Sequence, residues 1–289
     1  MTINESVFVT PALIEVARSA GLFDRHGIDV ATTHTPSSVS QRSDLDNGVV
    51  DVAITATDNL FAWNASGSDI VLVGQIETAT DLALTVRPGL GTLADAGRVR
   101  LAVDAPTNGF AIVAYAMLAD LGMSDRYEVV EIGGVRERLE ALGSGAADVT
   151  LLAPPLDQLA VQRGMAIELR VSDWLPSYPG LGIVASRRSL ERSPSEVRSY
   201  LSALFEANEW MRRSSRDDIA SALAGSGITG EALASVITRI PDTLAPSVEV
   251  LRILEGLRRD TGRLVENVPP LESMVDTSLV ASVAKDSTT

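Results

Sequence analysis

Short runs of consecutive apolar residues alternate with stretches whose apolar positions recur every three or four residues. The alternation holds to about residue 185 and reads as βαβ units building mainly parallel sheets. Thr10 is the expected N-cap of the first helix and Pro11 its first residue. Ala12, Leu13, Val16, Ala17 and Ala20 form the apolar stripe of that helix, and Gly21 stops it. The pattern then predicts a strand over 28–33, a helix from Ser37 or Ser38 to Gly48, and a strand over 49–55. Thr57 is the expected cap of a helix carrying Leu60, Phe61 and Ala65. Strands over 70–76 and 82–87 follow, closed by the Pro88-Gly89 turn. After that turn the series restarts: strand 98–103, helix 109–121 with Gly122 as stop, strand 127–132, helix 136–142, strand 149–152, helix 156–163 and strand 166–171.

The restart is visible in the residues themselves. Gly48-Val-Val-Asp51-Val52-Ala-Ile54 matches Gly145-Ala-Ala-Asp148-Val149-Thr-Leu151. Each is a helix-stopping glycine, a two-residue link, an aspartate and a buried strand. Gly-x-x-Asp before a strand is ordinary turn chemistry, but its recurrence at the same place in two βαβ series predicts two lobes of like topology. Beyond Ser193 the pattern is helical. Ser193-Pro194-Ser195-Glu196 reads as a capping box, and helices over 216–225, 231–239 and 248–261 follow, with Gly262 as a stop. Residues 287–289 are expected to fray.

Composition narrows the function. A net charge of −14 and a single lysine, Lys285, argue against a phosphate backbone as partner, so no nucleic acid is expected. The absence of cysteine excludes disulfides, thiolate metal sites and cysteine nucleophiles. No apolar run approaches the roughly 18 residues of a membrane span. Thr2, Asn4, Glu5 and Ser6 follow Met1 with no basic segment and no long apolar one. As it stands the chain is expected in the cytoplasm; with a leader removed, it belongs outside it.

In parallel α/β sheets, ligands sit beyond the carboxyl ends of strands, where helix N-termini offer free N–H groups. Those positions here are 8–10, 34–38, 55–59, 105–110 and 153–157, rich in hydroxyl, amide and proline residues. The candidate ligand contacts are Phe8, Thr10, Ser37, Ser38, Thr55, Thr57, Asn59, Thr107, Asn108, Gly109, Phe110, Pro154 and Asp157. Taken singly, each also reads as a cap or a turn. Asp58 and Asp157 follow their strands at corresponding places, where they complement a helix dipole (about 0.3–1 kcal/mol) or accept from a ligand. Trp174 and Tyr178 lie in an irregular stretch returning to the first lobe, where an aromatic stacks on a flat ligand or packs a hinge.

Catalytic signatures are sparse. His26 sits in a turn; His34 ends a strand on the cleft side, as a general base, a ligand hydrogen-bonder or a plain loop residue. These two histidines, without cysteine, make no zinc site, and no nucleophile elbow or P-loop occurs. Gly225-Ser-Gly227-Ile-Thr-Gly230 matches the dinucleotide fingerprint but lies between helices, so it carries no cofactor reading. No cofactor and no metal are expected.

Pro11-Ala-Leu-Ile-Glu-Val-Ala-Arg-Ser-Ala-Gly21-Leu-Phe23-Asp-Arg-His-Gly27-Ile-Asp29-Val resembles the opening of the NMT1/THI5-like proteins. The resemblance continues through Gly48 to Ile54, Gly145 to Leu151, the Tyr178-Pro-Gly-Leu-Gly-Ile-Val-Ala stretch and the Ser193 helix, covering most of the first 212 residues. These proteins belong to the type II periplasmic-binding-protein class, with sulfonate- and taurine-type members. The resemblance implies an α/β fold of two lobes joined by two crossover strands, each lobe a mostly parallel sheet flanked by helices. The first lobe would be 1–84 with the added C-terminal helices in 186–289, and the second 85–185. It also implies one small organic ligand in the cleft and, for an exported monomer, delivery to an ABC permease. Some relatives on this fold are enzymes, including thiamin-pyrimidine synthases, aromatic sulfinate desulfinases and dihydroxyphthalate decarboxylases. The desulfinases use a cysteine where this chain has Val7-Phe8-Val9, and the thiamin-pyrimidine enzymes carry a histidine-rich, cysteine-bearing set missing here. On the enzyme alternative, a decarboxylase, hydrolase or isomerase of a small acid, His34 with Asp58 or Glu77 is the acid–base set.

Overall fold

A computed structural model describes residues 1–280 of the chain; the expected frayed end and Lys285 lie outside the described residues. The first series runs β1 (Thr2–Val7), α1 (Ala12–Ser19), α2 (Leu22–Arg25), β2 (Asp29–His34), α3 (Ser38–Asp46), β3 (Val52–Ala56), α4 (Asn59–Ala65) and β4 (Ile70–Gln75). A crossover leads to β5 (Ala83–Val86). The second series is β6 (Val99–Val103), α5 (Gly109–Asp120), β7 (Tyr127–Glu131), α6 (Val135–Ser144), β8 (Val149–Leu152), α7 (Leu156–Gln162), β9 (Ala166–Arg170) and α8 (Val171–Trp174). A second crossover brings β10 (Leu181–Ser186) and α9 (Arg187–Arg192). Then come α10 (Pro194–Arg213), α11 (Arg216–Ala222), α12 (Gly230–Thr238), α13 (Val248–Asp260) and a 3-10 turn at Leu271–Met274.

The strands form two five-stranded sheets of the same order, β2-β1-β3-β10-β4 and β7-β6-β8-β5-β9. In each, the first three pair parallel, and the fourth position is an antiparallel strand supplied by a crossover. The expected boundaries at 84/85 and 185/186 thus fall inside β5 and β10. The wholly buried strands, such as β3 and β4, read as continuous apolar runs because both their faces are covered. β4 is an edge strand, and Val275 bridges to Leu72 alongside it, which covers the exposed rim.

The repeated motif is a pair of pins. Asp51 N–H donates to the Asn4 carbonyl at 2.8 Å, and Asp51 Oδ2 accepts from Asn4 N–H at 2.9 Å. Asp148 makes the same exchange with Arg100, at 2.9 and 2.8 Å. Each carboxylate also receives a guanidinium from the antiparallel strand's own connection, Arg192 at 2.6 Å and Arg87 at 2.6 Å. Gly48 and Gly145 precede them with φ of 68° and 74°, the left-handed turn that glycine adopts freely.

The helices α10 to α12 pack on the first lobe, where Tyr200 stacks on Phe23 with ring centroids 5.8 Å apart and donates its hydroxyl to the buried Glu5. In contrast, α13 packs against α5 of the second sheet, its Leu251 and Leu254 buried there. Three expected caps are corrected. Pro11, extended at ψ 152°, takes the N-cap place of α1, so Thr10 lies one residue too early to cap it. Thr57 does not cap α4, because its hydroxyl donates to Gln75 Oε1 at 3.3 Å. Ser193 makes no capping bond, since it also closes α9, and the reciprocal box forms at Ser215 and Asp218 instead.

Candidate functional site

The segments after the parallel strands of the two sheets meet each other across the gap between the lobes. Ser38 N–H donates to Asp104 Oδ2 at 2.9 Å, and Gly109 N–H donates to Asn59 Oδ1 at 2.8 Å. The Pro36 carbonyl stands 3.3 Å from the place a Gly134 Cβ would take, and Asp58 Cβ only 2.7 Å from the place of a Gly109 Cβ. The lobes are therefore shut on this side.

Other expected contact residues on this side bond within their own lobes, and Asp58 and Thr107 are linked across the seam. Asn108 caps α5 by accepting from Phe110 N–H at 2.8 Å and donates to Asp104 at 3.1 Å. Thr55, fully buried, accepts from Asn59 Nδ2 at 2.8 Å, and Ser37 caps α3 through Ser40 N–H at 3.0 Å. Asp58 is held by Arg258, whose Nε donates to both carboxylate oxygens at 3.0 and 2.9 Å. The same guanidinium donates to the Thr107 carbonyl at 3.0 Å. Burial pushes the Asp58 carboxyl up against the lowering pull of the Arg258 charge.

Beside this closed seam lies a cavity of about 200 Å³. It is bounded by the turn after β1, the crossover from Ile76 to Leu82, the turn after β8, Phe110, and α12 with the loop after it. Of the expected residues, Thr10, Phe110 and Pro154 line it. Phe8, half-buried, and His34, exposed, stand outside the lining; His34 Nε2 lies 3.4 Å from the Thr10 hydroxyl. Tyr178 is wholly buried and packs on Phe110 at 6.5 Å between centroids, behind the wall. Trp174 donates its indole N–H to Asp120. Asp157 is buried in an ion pair with Arg170 at 3.0 Å.

Sequence reasoning passed over several lining groups. Asp81 and Arg239 pair at 3.1 Å on the cavity wall, and Ser235 precedes Arg239 by one helical turn. Arg136, exposed in the first turn of α6, lines the cavity from the second lobe. The strand-tip rule that selected five loops applies equally to the one after β7 and finds Arg136. Nothing in the local sequence brings α12 over the cleft. Glu77, considered only as a catalytic partner, lines the cavity too, and burial pushes its carboxyl up.

Residues 11–215 match the family model described as NMT1/THI5 like. The chain belongs to the NMT1/THI5-like family. Solved structures show the fold of this NMT1/THI5-like protein at low identity. The alkanesulfonate-binding protein SsuA from Xanthomonas axonopodis pv. citri, bound to MOPS, is 18% identical with a TM-score of 0.77, over 95% of this chain and 98% of that one. The periplasmic nitrate-binding protein NrtA from Synechocystis PCC 6803 is 13% identical with a TM-score of 0.82, over 99% and 88%. The desulfurization enzyme DSZB is 16% identical with a TM-score of 0.66, over 99% of both chains. No curated protein matches the chain. Like these two binding proteins it has the two-lobed fold of type II periplasmic-binding proteins. Among the described residues no helix is long and apolar enough to cross a membrane.

Proposed function

We propose that this protein binds one small organic molecule between its lobes and presents it to an ABC permease, as solute-binding proteins do. The lobes are taken as 1–84 with 186–289 and as 85–185. The observation that carries the reading is the cavity between the two sets of strand tips, walled by both lobes and the first crossover. Its apolar sides and few polar groups suit a ligand of modest size. The enzymatic alternative draws on DSZB for the fold alone. His34 stands outside the lining, and Asp58 is committed to Arg258, so of that acid–base set only Glu77 faces the cavity. Native mass spectrometry of the purified protein tests the proposal. A non-covalent small-molecule adduct is expected, released on denaturation, with affinity kept within about twofold in His34→Ala. A protein that holds nothing, while turning over a substrate in a His34-dependent way, would sink it.

A further inference from the structure

The floor of the cleft is the crossover between β4 and β5. Gln75 Nε2 donates to the Glu77 carbonyl at 2.7 Å, and Glu77 N–H donates to the Leu181 carbonyl at 3.2 Å. The Glu77 carboxyl is thus carried on backbone fixed by the end of β4 and the start of β10. Three carboxylates gather at this floor and behind it: Glu77, Asp81 and Asp157. Two guanidiniums answer them. Arg239 reaches Asp81 at 3.1 Å, and Arg170 reaches Asp81 at 3.3 Å and Asp157 at 3.0 Å. One carboxyl is left without a guanidinium of its own.

The hydrogen bonds show the same shortfall. Glu77 Oε2, Asp81 Oδ1 and Asp157 Oδ1 are buried oxygens without a partner among the described residues. The Asp81 side chain is only 9% exposed. An ionised carboxylate can only accept, so a buried one lacking a partner calls for a donor. Arg239 and the Ser235 hydroxyl stand on Asp81, and much of the remaining wall is apolar: Val9, Leu13, Phe110, Met211, Ile228 and Val236. The volume, about 200 Å³, is on the scale of the roughly 150 Å³ cavity known to hold benzene. Arg136 lines the same cavity from the far side, but its exposure leaves its charge screened by solvent.

We infer, resting on the cleft as the ligand site, that the ligand is a small hydrophobic amine or amidine whose protonated nitrogen sits on Glu77 and Asp81. The apolar body then lies against Phe110 and the α12 wall. Glu77 faces Asp81 and Thr80 from its own segment, Arg239 from α12 and Tyr178 from the second crossover. Burial raises its carboxyl most, Thr80 and Arg239 lower it, and Asp81 raises it further. With its pKa raised, the empty site holds a proton at pH values where a free glutamate has lost it. An arriving cation must displace that proton. Affinity is therefore full above the raised pKa and falls below it, by up to about tenfold per pH unit.

Isothermal titration with four ring-matched compounds tests this: benzamidine, benzylamine, benzyl alcohol and benzenesulfonate. The two cations are expected to bind at least tenfold tighter than benzyl alcohol, more weakly as pH falls, and with proton release in buffers of different ionisation enthalpy. Glu77→Gln is expected to weaken benzamidine at least tenfold with its unfolding midpoint retained. The proton-release arm uses the unaltered protein, so it stands even if the variant misfolds. Binding of benzenesulfonate alone would overturn the amine assignment and leave the cleft reading intact. Failure of all four overturns the assignment as well, and the cleft reading is then judged by the native mass spectrum, which needs no added compound.

Discussion

Asp148 shows how much one buried carboxylate does in this fold. It accepts from the Arg100 backbone and guanidinium and from Arg87, holding β6, β8 and the end of β5 together. Burial alone would raise its carboxyl, but the hydrogen bonds from Arg100 and Arg87 outweigh this and hold it well below the usual carboxylate range. The native chain therefore releases this proton more readily than the unfolded one. The resulting stability is complete above the ordinary carboxylate pKa of about 3.9 and is lost as pH falls below it. Asp148→Asn should cost about 1–3 kcal/mol at neutral pH, measured by urea unfolding. The gap between wild type and variant should narrow as pH drops from about 5 towards 2; a gap that stays constant would contradict the assignment. This residue was legible in sequence as the aspartate of a repeated turn. Its two arginines were not, because nothing in the motif says which side chain reaches back from another strand.

At the scale of elements, α13 is the piece the sequence located least well. Its helical pattern over 248–261 is plain, and the helix is there, yet amphipathic spacing gives no partner. The structure sets it on α5, with Arg258 only 1% exposed and bound to Asp58 of one lobe and the Thr107 carbonyl of the other. Arg258→Ala would leave a buried, unpaired carboxylate and should cost about 3–5 kcal/mol. Pairing Arg258→Met with Asp58→Leu should recover most of that loss, which a double-mutant cycle by chemical denaturation would reveal. Equal losses in the single and double variants would rule out the ion pair as the source. Caps were read less well than helices. Thr10, Thr57 and Ser193 each look like caps by residue type, but the true start depends on where the preceding strand lets the chain turn.

For the whole molecule, the two-lobed α/β architecture was legible because periodicity and a repeated Gly-x-x-Asp element lie along the chain itself. The site was legible only in outline. Loops at strand tips could be picked out, but which of them press on one another and which line open space depends on how the lobes dock. Gly109 decides part of that docking, since its backbone is unstrained while a methyl there would meet Asp58 and Ala56. Gly109→Ala should therefore keep both lobes folded but hold them apart. Small-angle scattering should give a larger radius of gyration than wild type, with ligand affinity at least tenfold lower. An unchanged radius with full affinity would show that this contact does not govern closure.

The two aspartate pins fasten each sheet at the opposite extremity from the cavity. Residues that keep the fold upright and residues that line the cavity thus occupy separate ends of the same strands. In a scaffold divided in this way, substitutions on the cavity wall should leave both pins, and the frame they hold, in place.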